Sequence, residues 1–152
     1  MTIEVRAATS ADIPDILRMS TAMHASGRYA DIPLNQPRWV GFVRYCMAAP
    51  EGCVFVAERD RNVIGMLVAT MSSYPWSEKT MSSDVVVWTE PGARNGLAAA
   101  MLVRRYEQRA KANACAHAYL GTTNAADFTR AGKFYATLGY EKVGEVYRKV
   151  LA

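Results

Sequence analysis

No apolar run in the chain approaches the ~18 residues that a membrane-spanning helix needs, so no span is expected. Cysteine is sparse and odd in number. Cys46, Cys53 and Cys115 are widely spaced, which excludes a disulfide framework or a zinc knuckle and fits free thiols in a reducing compartment. Glu4, Arg6 and Asp12 stand where a secretory signal needs an apolar stretch, so the expectation is a cytoplasmic protein. There is no internal repeat, low-complexity tract or linker. With 10 Gly and 6 Pro among 152 residues, collagen and disorder are excluded as well. What is present is 51% hydrophobic and 21% charged sequence, enough for one domain over residues 1–152 with a sizeable core.

The net charge of +4 is unevenly placed. Residues 1–76 hold seven Lys/Arg and seven Asp/Glu, whereas residues 77–152 hold eleven against seven. The excess in the second half suits either an anionic partner or a solvated basic face. Nucleic acid is not expected, because the aromatics do not interleave with the basic residues as a stacking platform requires.

Ile3 to Ala7 alternates as a short strand. Thr9 or Ser10 caps a helix with Asp12 near its positive end, and Ile13, Ile16 and Leu17 give it one apolar face. Asn35 or Gln36 opens a second helix, with Trp39, Val43 and Met47 on one side. Cys53 to Glu58 and Val63 to Met71 read as a hairpin around Asp60-Arg61-Asn62. Met81 to Thr89 is a further strand, apolar on both faces around Val85-Val86-Val87. A helix then runs to about Ala112, Cys115 to Gly121 is a strand, and Ala125 to Leu138 a helix ended by Gly139. Tyr140 to Leu151 has strand character broken by Gly144. The order β-α-α-β-β-β-α-β-α-β predicts a single-domain α/β fold, a mixed, mostly antiparallel sheet flanked by helices.

The most informative stretch is Val85 to Ala98. A buried strand ends in Pro91-Gly92-Ala93-Arg94-Asn95-Gly96, and small residues open the next helix. Unpaired amides at the positive end of a helix make a phosphate cradle. The stretch is neither a Walker loop nor G-x-G-x-x-G.

Three motifs together resemble the GNAT family, the acetyl-CoA-dependent N-acetyltransferases, over nearly the whole chain. They are this strand and turn, similar to the family's pyrophosphate loop; Phe134-Tyr135-Ala136-Thr137-Leu138-Gly139-Tyr140, similar to the L-Y-x-x-L-G-F ending of its last helix; and Gly65 in the second hairpin strand. The resemblance implies acetyl-CoA as co-substrate, no metal, and a small-molecule or protein amine as acceptor. It assigns Val87, Trp88, Arg94, Asn95, Gly96, Leu97 and Ala98 to the cofactor. The loop is one residue short: aligned on Gly96 and Ala98, Ala93 takes the usual Arg/Gln place, and aligned on Pro91, Arg94 does. Arg94 is the reading adopted. Phe128 stands where the family often has asparagine.

The resemblance further implies that the Met81–Thr89 and Cys115–Gly121 strands splay apart, helped by a bulge near Trp88. Tyr135 matches the family's general acid, and its alternative is a packed core tyrosine. Asp84 is the candidate base, expected on one strand face with Val86, Trp88 and Glu90, and its alternative is a solvated strand-end carboxylate. Cys115 with His117, and His24 alone, are read as structural or surface residues. Tyr29, Trp39, Tyr74 and Trp76 fall in or near loops expected to line the acceptor side. The expected activity is amine acetylation in a ternary complex. The alternative is a non-catalytic acyl-CoA sensor on the same fold, and a homodimer through the last strand is possible.

Overall fold

Alternation along the strands and the 3.6-residue period of the helices produce two cores on either side of one sheet. A computed structural model describes residues 2–125 and 127–151. Strand β1 (Ile3–Ala7) pairs antiparallel with β2 (Gly52–Arg59), β2 with β3 (Asn62–Ser73), and β3 with β4 (Thr80–Thr89). The short β5 (His117–Tyr119) joins β4 in parallel and closes the order β1-β2-β3-β4-β5. Asp60 and Arg61 turn the first hairpin with φ of 52° and 65°, the left-handed pair that matches strand twist.

Helices α1 (Ile13–Ser26) and α2 (Gln36–Ala48) cover one face. Ile16, Met19, Val43 and Cys46 pack there on Val54, Val56, Met66, Val68 and Val86. Helix α3 (Leu97–Ala112) covers the other face, where Ala98, Leu102, Val103 and Tyr106 pack on Phe55, Ala57, Leu67 and Ala69. Each Val, Leu, Ile, Met or Phe side chain among them contributes about 1.5–3 kcal/mol on burial. Helix α4 (Phe128–Thr137) has no fully buried residue, but Leu138 and Tyr140 beyond its end join the α3 core. Gly65 is small for a visible reason: a Cβ there would lie 3.2 Å from Leu102 Cδ1 and 3.2 Å from the Trp88 carbonyl oxygen.

The entry to α1 is locked by charge. Arg6 bonds both oxygens of buried Asp12 at 2.8 and 2.9 Å and Glu58 at 2.8 Å, while the Thr9 amide donates to Asp12 at 2.7 Å. Strands β1 and β2 are thereby tied to the first turn of the helical layer. No helix among the described residues is long and apolar enough to cross a membrane.

Three expectations are corrected. Residues 140–151 form no strand: the chain turns at Gly139 (φ 92°), Gly144 interrupts the pattern, and β5 offers an edge only three residues long. The strand expected over Cys115–Gly121 is confined to His117–Tyr119, since β4 pairs with it only from Met81 to Ser83 and then turns away. The helix after β4 runs from Leu97 to Ala112, as expected, and Pro91–Ala93 before it makes a 3-10 turn that buries Ala93. The last helix begins at Phe128, capped by Asp127, rather than at Ala125, and Ala126 lies outside the described residues.

Candidate active site

The two strands that frame the site pair only briefly. Met81, Ser82 and Ser83 of β4 face His117, Ala118 and Tyr119 of β5, and pairing stops there. Tyr106 of α3 fixes the last point of contact, donating its buried hydroxyl to the Tyr119 carbonyl at 3.0 Å. Beyond Ser83 the strands splay, as the resemblance implies.

The cause of the splay sits at Val85, three residues before the place expected. Val68 pairs with Val86 and Ala69 with Asp84, so Val85 is an extra residue in β4. Val85 and Val86 both face the α1/α2 core, and the alternation shifts by one position. Asp84 consequently does not share a face with Val86 and Trp88. Its partner Ala69 belongs to the α3 core, and Asp84 points to that side, with Val87.

Two side-chain bonds bridge the opened gap, and a third ties α4 to the same segment beyond β5. Asp84 Oδ1 accepts the Gly121 amide at 2.8 Å, Asn124 Nδ2 donates to the Val85 carbonyl at 3.1 Å, and the Tyr135 hydroxyl donates to the Gly121 carbonyl at 3.3 Å. Burial pushes the Asp84 carboxyl up to about 6, although the Gly121 amide pulls the other way. Burial raises the Tyr135 phenol above the ordinary tyrosine value, and the negative charge of Asp84 adds to it. A neutral-range carboxylate and a firmly protonated phenol thus meet on one glycine.

The loop after β4 is held at both sides. Arg94 lies over the Trp88 ring at 4.4 Å and donates Nε to the Thr89 carbonyl at 3.2 Å. Gly96 caps α3 at φ 87°, and a Cβ there would come within 3.5 Å of the Phe134 ring on α4. Asn95 Oδ1 accepts the Leu97 amide. The amides of Ala98 and Ala99 have no backbone acceptor among the described residues, as the first turn of a helix requires. Ala93 is turned into the α3 core, which leaves Arg94 as the loop's cationic side chain. Val87 and Trp88 lie in the part of β4 that has parted from β5, and the buried Trp88 Nε1 has no partner.

On the sheet face opposite Asp84, an aromatic group closes around β5. Tyr74 bonds His117 Nδ1 at 2.7 Å and the Tyr119 hydroxyl at 2.8 Å, and its ring stands 5.4 Å from that of exposed Trp76. The bond to Tyr119 pushes the Tyr74 phenol up to about 12. His117 is therefore engaged with Tyr74 rather than with Cys115. His24, Tyr29 and Trp39 instead line a separate cavity of about 590 Å³ between α1, its following loop and α2. The four loop aromatics thus divide into two groups.

Gly121, Asn124, Tyr106 and Tyr119 escaped the reading of the sequence. Gly121 and Asn124 lie in an aperiodic polar stretch, where nothing local marks a residue that bonds a strand thirty-odd positions away. No group of three or more His, Cys, Asp or Glu side chains suited to a metal occurs among the described residues.

The family model for the acetyltransferase (GNAT) family matches residues 18–140. No curated protein matches the chain. Among solved structures, a transcriptional regulator from Bacillus halodurans C-125 is similar with a TM-score of 0.76 and 22% identity, covering 99% of this chain and 100% of that one. An aminoglycoside 6'-N-acetyltransferase from Acinetobacter haemolyticus gives a TM-score of 0.74 at 18% identity, covering 98% of each chain. One from Acinetobacter baumannii gives 0.75 at 16%, covering 99% of this chain and 100% of that one. At these identities the likeness is one of fold.

Proposed function

We propose, from the premise that the chain belongs to the acetyltransferase (GNAT) family, that it transfers an acetyl group from acetyl-CoA to a primary amine of a small molecule or protein by direct attack in a ternary complex. The single observation that carries this reading is the parting of β4 from β5 after Ser83, with Asp84 and Tyr135 both fixed on Gly121 inside the gap.

The residues present fit the co-substrate. An unpaired β4 edge at Val87 and Trp88 suits the amide-bearing pantetheine arm. The free amides of Ala98 and Ala99, the side-chain-free Gly96 and the guanidinium of Arg94 suit a pyrophosphate at the start of α3, with Asn95 and Leu97 shaping the turn. When bound, acetyl-CoA supplies an acyl group activated as a thioester.

The chain's own groups have three tasks. An amine of ordinary pKa ~10.4 arrives protonated and must lose its proton before attack. Asp84, ionised above about 6 and with one oxygen unengaged by Gly121, takes that proton. Tyr135, which keeps its own proton at physiological pH, donates to the sulfur as the thiolate leaves. Holding both reactants in one gap supplies much of the remaining acceleration.

The acceptor reading follows from what surrounds the far side of the gap. Tyr74, Trp76, His117 and Tyr119 present rings and hydroxyls and no carboxylate. Such a surface suits an amine on an aromatic or apolar body better than the polycation that the aminoglycoside enzymes' names describe. The free cysteines, of which Cys46 and Cys53 are buried, are consistent with a cytoplasmic protein.

The test is release of CoA thiol from acetyl-CoA against a panel of arylalkylamines, aliphatic amines, an aminoglycoside and a lysine peptide. Acceptor-dependent release, strongest with the arylalkylamines, is expected. Binding of acetyl-CoA without release for any acceptor would point instead to the acyl-CoA-binding module.

A further inference from the structure

Phe128 stands where the family often has asparagine, and the acid–base pair does not involve it. It opens α4 with its ring 49% exposed. Over that ring lies Arg28, whose guanidinium carbon is 3.7 Å from the centroid. The same side chain donates Nη1 to the Ala125 carbonyl at 2.6 Å, across 97 positions of sequence. Among the described residues no carboxylate pairs with Arg28, so its charge meets one ring and one carbonyl dipole.

Arg28 is held from behind as well. Its carbonyl accepts Arg148 Nη1 at 2.6 Å, and Arg148 also reaches Asp31 at 3.4 Å and lies over the Tyr29 ring at 5.5 Å. The backbone from which Arg28 extends is thereby anchored. Neither Arg28 nor Phe128 belongs to the core on either side of the sheet, so burial of apolar surface does not account for the pair.

This strap ends on the turn that carries the anchors of the gap. The Ala125 amide donates to the Thr122 carbonyl at 3.0 Å and closes the turn. Within it Asn124 holds the Val85 carbonyl, and Gly121 just before it holds both Asp84 and Tyr135. None of residues 121–125 is buried, so packing alone does not fix them. We propose that Arg28 is a positioning residue for acetyl transfer: stacked on Phe128, it pins the Ala125 carbonyl and keeps Gly121 where it sets Asp84 and Tyr135. The proposal rests on the acetyl-transfer reading of those two side chains. Phe128 in place of asparagine then serves the strap.

A strap of this kind has a signature in pH. The Gly121 amide favours the ionised form of Asp84, so a drifting turn moves that carboxyl further up. The other groups that sense Asp84 are the phenols of Tyr106 on α3, Tyr135 on α4 and Tyr140 beyond it. Burial raises all three above the ordinary tyrosine value, so they stay neutral while Asp84 titrates.

The test compares the full chain with Arg28→Met, which loses the charge and the donor, and with Arg28→Lys, which keeps a charge and a donor. Phenylethylamine is the acceptor. For Arg28→Met the expected fall in kcat is about tenfold, with acetyl-CoA affinity within about twofold of wild type. The rise of kcat/KM with Asp84 ionisation is expected to move above about 6. The Gly121 amide is expected to exchange at least about tenfold faster. Arg28→Lys is expected to recover most of the lost kcat. Arg28→Met with an unmoved pH limb and unchanged Gly121 exchange overturns the proposal, whatever its kcat. A wild type that acetylates no amine removes the acetyl-transfer reading and this role with it. Gly121 exchange, which needs no acceptor, separates that outcome from a failure of the strap alone.

Discussion

Asp84 and Tyr135 are fastened to the two polar groups of a single residue, Asp84 through the Gly121 amide at 2.8 Å and Tyr135 through the Gly121 carbonyl at 3.3 Å. One strand, one loop and one helix are thereby brought into register at the point where β4 and β5 separate. The two side chains come from positions 51 apart in sequence, and each is perturbed in the direction its proposed role requires. Perturbed groups facing each other in a gap are a mark of functional sites, because folding alone gains nothing from burying a carboxylate there.

Asp84→Asn removes the base while keeping an oxygen to accept the Gly121 amide. In the wild type, kcat/KM is expected to rise with pH through about 6 as Asp84 ionises, in addition to any titration of the acceptor amine. The variant is expected to lose that limb and about 10²-fold or more in kcat/KM. A pH–rate profile from 5 to 9 checks it, and an unchanged limb contradicts it.

The same substitution bears on stability. Asp84 has a folded pKa above its unfolded value of ~3.9, so the folded state holds a proton that the unfolded state releases between about 4 and 6. Stability falls as pH rises through that window, and the ionised group remains a penalty above it. Asp84→Asn is therefore expected to unfold at a higher temperature than wild type at pH 8, with the gap closing toward pH 4. Scans at both pH values decide the matter.

Tyr135→Phe deletes the donor to sulfur without opening a cavity. The expected outcome is a fall in kcat of about 10–10²-fold with acetyl-CoA affinity within about twofold. Equal turnover in the two proteins would assign Tyr135 to packing alone.

Gly96→Val strains the loop through its backbone. The position has φ of 87°, which costs a β-branched residue about 1–2 kcal/mol or more, while its Cβ would only touch the Phe134 ring at ordinary contact distance. Weaker acetyl-CoA binding together with a lower melting temperature is expected by titration and thermal scan. Gly92→Ala, where a Cβ meets nothing within 4 Å, is the matched control and should change neither.

The Arg6–Asp12–Glu58 cluster is structural. Arg6 and a Thr9 hydrogen bond hold the Asp12 carboxyl below the usual carboxylate range. A depressed pKa contributes stability above the unfolded value of ~3.9 and loses it as pH falls through the folded one. Asp12→Asn is expected to cost about 2 kcal/mol at pH 7, less than the 3–5 of a fully buried pair because the Arg6 side chain is 33% exposed. The difference should shrink below about pH 4 in denaturant titrations.

The sequence makes the strands, the amphipathic face of α3 and the loop after β4 legible, because alternation, period and turn residues are local signals. Even the splay follows from the resemblance. The direction of Asp84 does not, since period-2 reasoning assumes an unbroken strand and the extra residue at Val85 reverses the phase. The bonds of Gly121 and Asn124 to β4 are equally hidden, because they join residues of no marked pattern across 37 and 39 positions. Tyr140–Leu151 shows the opposite case. Its strand pattern is plain in the sequence, and what is missing is a neighbour within the chain.

The account rests on the gap between β4 and β5 holding acetyl-CoA, and thermal unfolding with acetyl-CoA, with CoA and without ligand tests that most directly. At a hundred times the dissociation constant a ligand adds ~2.7 kcal/mol, which raises the midpoint by roughly 5–10 °C in a domain of this size. The account predicts such a rise with both ligands, and its loss in Gly96→Val but not in Gly92→Ala. No rise at saturating ligand would contradict it.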